Sequence, residues 1–308
     1  MSNKEIILSI LSSEGIDMRV IIREMFMGYK QRKQRKQLYS DDNTIPTTLI
    51  KMFYALNPDQ AEFESINKSF VTRYIKNESK VEGVHSPAEI EGLREMYEYI
   101  HSDDIDYMFN VFTLKEIHEK LYSKTEYPEF GGNFRRSDAY IKDFPSDLVS
   151  YPFIFRELDK LDPEVLELKE LAPFIKEWGD SSILLEYLDR CVVLGCELIR
   201  IHPFADGNGR SVRGFINKLL EDAGLPPVYI TIAEKDEYRV AMGKAIGDGN
   251  FEPIKNFYRY KVCDSIIELD INKRIREDVS DNSGSGKAVT DTIVKEKVDD
   301  LKRPKNVE

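Results

Sequence analysis

Residues 202–210 read HPFADGNGR, and a second arginine, Arg213, follows shortly after. This span holds an imidazole able to accept a proton (His202), a carboxylate able to hold a hard cation (Asp206) and two glycines that let the backbone approach an anion (Gly207, Gly209). Two guanidinium groups, Arg210 and Arg213, complete it. Such a set suits a nucleoside triphosphate. The glycine turn opens a helix whose first N–H groups lack internal partners, which makes an anion nest. Arginine forks match phosphate oxygens two bonds at a time, and Asn208 adds an amide that can donate to a phosphate oxygen. Asp206 either caps the helix or holds a divalent cation. His202 precedes Pro203, which ends the preceding helix and presents the imidazole on a loop, where it can take a proton from an attacking hydroxyl.

The surrounding elements must hold these groups in place. Val212, Phe215, Ile216, Leu219 and Leu220 recur at helical spacing, while at about 100° per residue Arg210, Arg213 and Asn217 fall on the other side. The pattern predicts a helix that packs with one face and binds with the other. Residues 181–201 are apolar on most sides, with Glu186, Asp189, Arg190, Glu197 and Arg200 forming a narrow polar stripe. This predicts a central buried helix that delivers His202. Phe63, Ile66, Phe70 and Tyr74 also recur at helical spacing, with Gly83 as a C-terminal stop. Ser86–Glu89 and Thr113–Glu116 read as capping boxes. His118 is read as structural. Cys191, Cys196 and Cys263 lack a metal-ligand spacing and read as reduced core thiols; the four scattered histidines suggest no zinc site.

HPFADGNGR with Arg213 resembles the signature of the Fic family, HPFx(D/E)GNGRxxR, at every fixed position. The resemblance implies a mainly α-helical fold, a Fic-type helical bundle with a short β-hairpin flap, whose members move AMP from ATP onto a protein hydroxyl. Position by position it implies His202 as general base, Asp206 as the Mg²⁺ ligand, and Gly207, Asn208 and Gly209 as the phosphate cradle. Phe204 joins the nucleotide-binding loop, and Arg210 and Arg213 hold the outer phosphates. Residues 131–141, GGNFRRSDAYI, resemble the family's flap, with Phe134, Arg135, Tyr140 and Ile141 docking the target by strand-type pairing; an ordinary surface hairpin is the alternative. Residues 235–258 resemble the closing helices, where Tyr238 either faces adenine or belongs to the core.

Residues 77–83, NESKVEG, resemble the family's inhibitory segment, (S/T)xxxE(G/N). The resemblance implies that Glu82 pairs with Arg213 and keeps it from the γ-phosphate. Glu78 departs from that pattern, standing where Ser or Thr is expected. A carboxylate one turn before Glu82 adds like-charge repulsion of roughly a few tenths of a kcal/mol, which is expected to loosen the inhibition.

Length and charge bound the rest. The chain has 308 residues and a net charge of −11, enough for one sizeable domain with elaborations, or two. The expected division is a helical N-terminal extension (1–60), an inhibitory-helix region (61–100), a catalytic domain (101–270) and a charged, flexible tail (271–308). No apolar stretch approaches the roughly 20 residues that span a bilayer, and the early run IILSIL is too short for a secretory signal. A soluble, cytoplasmic enzyme is expected. The basic cluster at Lys30, Arg32, Lys33, Arg35 and Lys36 reads as a solvated helix face or a patch for an acidic partner, and the acidic net charge argues against broad nucleic-acid affinity. The expected activity is transfer of AMP from ATP, with Mg²⁺, to a Ser, Thr or Tyr hydroxyl of a protein, this chain included, under restraint by Glu82. Two other readings stand beside it: a nucleotide-sensing interaction module, and removal of AMP from a modified protein with Glu82 orienting water. The intact His202 favours chemistry over sensing.

Overall fold

The computed structural model describes residues 60–141, 148–178, 181–265 and 268. The basic cluster, nearly all of the expected N-terminal extension and the charged tail lie outside them. The helices are α1 (Gln60–Glu82), α2 (Pro87–Ile100), α3 (Thr113–Tyr122), α4 (Ile154–Asp159), α5 (Asp162–Trp178), α6 (Ser181–Ile201), α7 (Asn208–Asp222), α8 (Lys235–Asp248) and α9 (252–265). The fold is mainly α-helical, as expected, and the described residues contain no strand. Residues 131–141 follow an irregular course of turns and bends, so the expected hairpin is not seen there. No helix among the described residues is long and apolar enough to cross a membrane.

Helix α7 lies at the centre, packed by α2, α3, α5 and α6. Phe215 and Leu219 are fully buried on it, each contributing about 1.5–3 kcal/mol of apolar burial. Its polar side is buried too, contrary to the expected division into a packing face and a binding face. Asn217 pins the segment after α7 by donating to the Val228 carbonyl and accepting from its N–H, both at 2.9 Å, and Arg213 lies beneath α1. Helix α6 buries Leu184, Leu188, Leu194 and Leu198, and this anchored rod carries His202 at its end.

Helix α1 buries Phe70 and Tyr74 as their spacing predicts; the side chains of Phe63 and Ile66 lie outside the description. It stops at Gly83, whose φ of 71° is left-handed. The Val84 N–H reaches back to the Ser79 carbonyl at 2.8 Å and the Gly83 N–H to that of Lys80 at 3.2 Å, the paired bonds of a Schellman ending. Glu82 thereby becomes the last helical residue. Lys235 Nζ donates to the Val81 carbonyl and fastens the same end.

Neither capping box forms. Ser86 holds the N-cap position of α2 without a side-chain bond, and Pro87 follows. Thr113 is the first residue inside α3 and its hydroxyl accepts from the Asn110 N–H. Glu116, the other half of that box, accepts instead from the Tyr99 hydroxyl.

Candidate active site

The His202 loop is built from inside. His202 has φ 49°, the one positive value at a non-glycine among the described residues. Asn208 spends both ends of its amide on Phe204, accepting from its N–H at 2.9 Å and donating to its carbonyl at 2.8 Å. The Phe204 ring is fully buried and stacks on His118, with centroids 3.8 Å apart. Together these contacts set the loop's shape. The two groups meet across a tight turn, so neighbouring backbone is the nearest partner that Asn208 can reach.

Gly207, with φ 74°, is the N-cap of α7, so Asp206 is not. A Cβ at Gly207 would lie 2.9 Å from the Tyr122 ring and 3.1 Å from His118 Nε2, which leaves room for glycine alone. The Asp206 side chain is 77% exposed and accepts from Tyr122 Oη at 2.9 Å and from Arg210 Nη2 at 3.4 Å. Burial of the site pushes its carboxyl upward, but the Gly207 N–H and the Arg210 charge outweigh this and hold it below the usual range. Asp206 is ionised and outward-facing.

His118 ties three pieces together. Its Nδ1 accepts from the Gly132 N–H at 3.0 Å, so Nε2 carries the proton and donates to the Asp206 carbonyl at 2.9 Å. Burial pushes its pKa down to about 4, consistent with this neutral form. For His202, burial lowers the pKa and the Arg135 charge acts the same way, against an Ile199 carbonyl and Asp206. A base must be neutral to accept a proton, so this shift suits the role.

Arg135 corrects the flap reading. Its side chain turns inward and is almost wholly buried. Its Nε donates to the His202 carbonyl at 2.7 Å, Nη1 to Ser137 at 2.7 Å, and Nη2 to the carbonyls of Val149 and Ile201. Its backbone N–H donates to Pro203 at 2.9 Å. A cation at the carboxyl end of α6 also complements that helix's dipole. Arg135 therefore fastens the flap segment to the His202 loop and is not free to dock a target. Phe134 and Ile141 pack partly against the core, which leaves Tyr140, 89% exposed, as the outward residue of the expected four. Arg135→Met is expected to cost about 1–3 kcal/mol, the scale for leaving buried acceptors unsatisfied. Chemical denaturation checks the cost, and faster amide exchange at Gly132 would show the flap segment released.

Arg213 meets two carboxylates. Its Nε donates to Glu78 at 2.8 Å and 3.1 Å, its Nη2 to Glu78 Oε2 at 2.7 Å, and the same Nη2 to Glu82 Oε1. Glu78 is 0% exposed, Arg213 4% and Glu82 32%. A Cβ built on Gly209 would lie 2.9 Å from both Arg213 Nη1 and Glu82 Oε1, so the Glu82 carboxylate stands over the first turn of α7. Burial would raise the Glu82 pKa, but Arg213 outweighs it and holds the carboxyl low. Tyr238 is buried, with its ring 5.9 Å from the Arg213 Cζ and 5.6 Å from the Phe257 ring, which makes it a core tyrosine. The sequence reading missed Glu78 as a partner of Arg213. The signal was the four-residue step Phe70, Tyr74, Glu78, which continues the buried stripe of α1.

Residues 108–220, which hold the histidine loop, the glycine turn and the central helix it opens, match the Fic/DOC family model. The chain is 29% identical over 179 residues to the protein adenylyltransferase Fic of Nematostella vectensis, covering 56% of this chain and 36% of that one. It is 24% identical over 145 residues to protein adenylyltransferase fic-1 of Caenorhabditis elegans, covering 47% and 25%. The match thus spans little more than a third of these relatives at most. In structure the fold is similar to Fic-1 from C. elegans, with TM-score 0.58 at 16% identity over 83% of this chain and 78% of that one. It is also similar to a Fic domain containing signaling protein from Bacteroides thetaiotaomicron, with TM-score 0.55 at 17% identity over 73% and 97%.

Proposed function

We propose that this chain is a protein adenylyltransferase held at rest by its own α1. The observation that carries the reading is the Glu82 carboxylate, bonded to Arg213 directly over the opening turn of α7. An anion already occupies the place where the helix N-terminus and two arginines would receive phosphate. The relatives' names support the same reaction class.

In this reading His202 takes the proton of a Ser, Thr or Tyr hydroxyl on a protein, and that oxygen attacks the α-phosphorus of ATP. The bond to the β-phosphate oxygen breaks and pyrophosphate leaves. The N-terminal turn of α7 cradles the phosphates through backbone N–H groups, with Arg210 and Arg213 holding the outer ones. Tyr140 is the outward flap residue that meets the target. Three free, buried cysteines suit a reducing, cytoplasmic setting.

Asp206 fits a magnesium ion. It is an exposed, ionised carboxylate, and no group of three or more candidate ligand side chains exists among the described residues. Magnesium typically takes one or two protein carboxylates and completes its shell with water and phosphate oxygens. When bound, the ion offsets charge on the phosphates. Asp206→Ala is expected to depress turnover and blunt its dependence on Mg²⁺, read by titrating the metal against initial rate. An unchanged titration would remove Asp206 from this role.

Incubation with ATP labelled in turn at the α- and γ-phosphates, followed by mass analysis, tests the reaction itself. Label retained only from the α-position, with a mass gain of AMP, is the expected result. Retention of the γ-label would mean phosphate transfer instead.

A further inference from the structure

Helix α1 carries an acidic group in line with two buried aromatic residues. Phe70, Tyr74 and Glu78 follow one another at four-residue steps, and all three are buried. A fully buried carboxylate requires a partner, and Arg213 supplies it with three donated bonds between 2.7 Å and 3.1 Å.

The two carboxylates on Arg213 differ in what they grip and in whether they can leave. Glu78 sits on the Nε–Nη2 edge, where its Oε2 accepts from both nitrogens and its Oε1 accepts a further bond from Nε, so two donors of the guanidinium are fixed in direction. Glu82 touches Nη2 alone. Glu78 has no solvent-facing surface, while Glu82 is partly exposed on the last residue of α1, beside Gly83. Rotation of one side chain toward solvent removes Glu82 and leaves the Glu78 grip intact. Nη1 stays aimed at Gly209 and the opening of α7. The like-charge repulsion expected between Glu78 and Glu82 is offset because the guanidinium lies between them.

We infer that Glu78 is a positioning residue, holding Arg213 aimed at the phosphate cradle in both the resting and the active protein, and that Glu82 alone is the removable anion. The inference rests on the reading of Arg213 as a phosphate ligand. Glu78 balances the arginine's charge, so the hold on a terminal phosphate depends on the direction of the donors more than on net charge. Losing that direction should weaken the contact even though an acid has been removed.

The test compares wild type, Glu78→Gln, Glu82→Gly, and Glu82→Gly combined with Glu78→Gln or Glu78→Asp. Calorimetry gives the affinity of each for ADP and for a non-hydrolysable ATP analogue, and the ratio of the two isolates the γ-phosphate contact. Initial rates of AMP transfer are read in parallel, and melting curves confirm folding. Glu82→Gly should favour the ATP analogue. Adding Glu78→Gln should erase that preference and cut the rate on the order of 10- to 100-fold, the scale of a small misplacement at a reacting centre. ADP affinity should hold. Glu78→Asp keeps the charge on a shorter stem and should give a smaller loss in the same direction, so the inference stays testable if the Gln variant folds poorly. Glu78→Gln alone should be no faster than wild type. A faster Glu78→Gln protein would make Glu78 a second inhibitor and overturn the inference. So would double variants that match Glu82→Gly in both ratio and rate. If Glu82→Gly itself shows no preference for the ATP analogue, the phosphate role of Arg213 fails and the inference falls with it, a pattern distinct from the other two.

Discussion

His202→Ala is expected to reduce AMP transfer by roughly 10²–10⁴-fold while leaving nucleotide affinity nearly unchanged, because general-base help acts in the transition state and not on bound ATP. The geometry supports that separation. His202 sits at the end of α6 in a left-handed conformation, fastened through its carbonyl by Arg135, whereas the proposed phosphate contacts come from α7. The substitution therefore removes an imidazole without removing a phosphate donor. The pH dependence follows from the sign of the shift. Burial lowers the His202 pKa from its ordinary value, which is about 6.5, and the base works only when neutral. The wild-type rate should hold as pH falls through 6.5 and decline only below it. Measuring kcat and KM for ATP between about pH 5 and 8 reads both effects. Parallel loss of binding and transfer would mark His202 as structural, and undiminished transfer by a folded variant would remove it from the mechanism.

The parts of this site legible in the sequence were those fixed by local chain chemistry. His-Pro announced a loop, Gly207 a turn no other residue could make, and Gly83 a helix stop; the apolar periodicity of 181–201 marked the buried helix. Groups whose partners lie far along the chain, or whose partner is the backbone of their own loop, did not show those partners in the sequence. Asn208 and Arg210 stand two residues apart in the motif, yet Asn208 bonds Phe204 through both its oxygen and its nitrogen, and only the folded loop reveals it. Arg135 looked like a surface flap residue because nothing local shows that four carbonyls converge on its guanidinium. Tyr238 stood equally well for a ligand wall or core until Phe257 and Arg213 were seen against it. The capping boxes failed for a related reason: Glu116 matched a local pattern, but Tyr99 offered a partner on a neighbouring helix. Glu78 is the instructive case. Pairwise rules along one helix made it a repulsive neighbour of Glu82, whereas the fold places a cation between the two.

That placement changes what removal of Glu82 should do. Deleting one member of a buried ion pair ordinarily costs about 3–5 kcal/mol, because the remaining charge is left without a partner. Here Arg213 keeps the bonds to Glu78, so Glu82→Gly should cost less than that, even with the added flexibility of glycine at a helix end. Activity should move the other way. The anion leaving Nη2 makes room for phosphate, and a charge-assisted hydrogen bond contributes about 1.5–3 kcal/mol, so the initial rate of AMP incorporation should rise roughly 10- to 100-fold. The rise need not be muted by Glu78, as like-charge repulsion along the helix implied, because Glu78 keeps its bonds to Nε and Nη2 and shares only Nη2 with Glu82. Labelled-AMP incorporation by wild type, Glu82→Gly and Glu82→Gly with His202→Ala should be low, high and nearly absent in that order. A Glu82→Gly protein no faster than wild type would refute restraint by Glu82. If that variant instead lost an ability to strip AMP from a modified protein, the same carboxylate would be reassigned: standing over the opening of α7, it would orient water for the reverse chemistry.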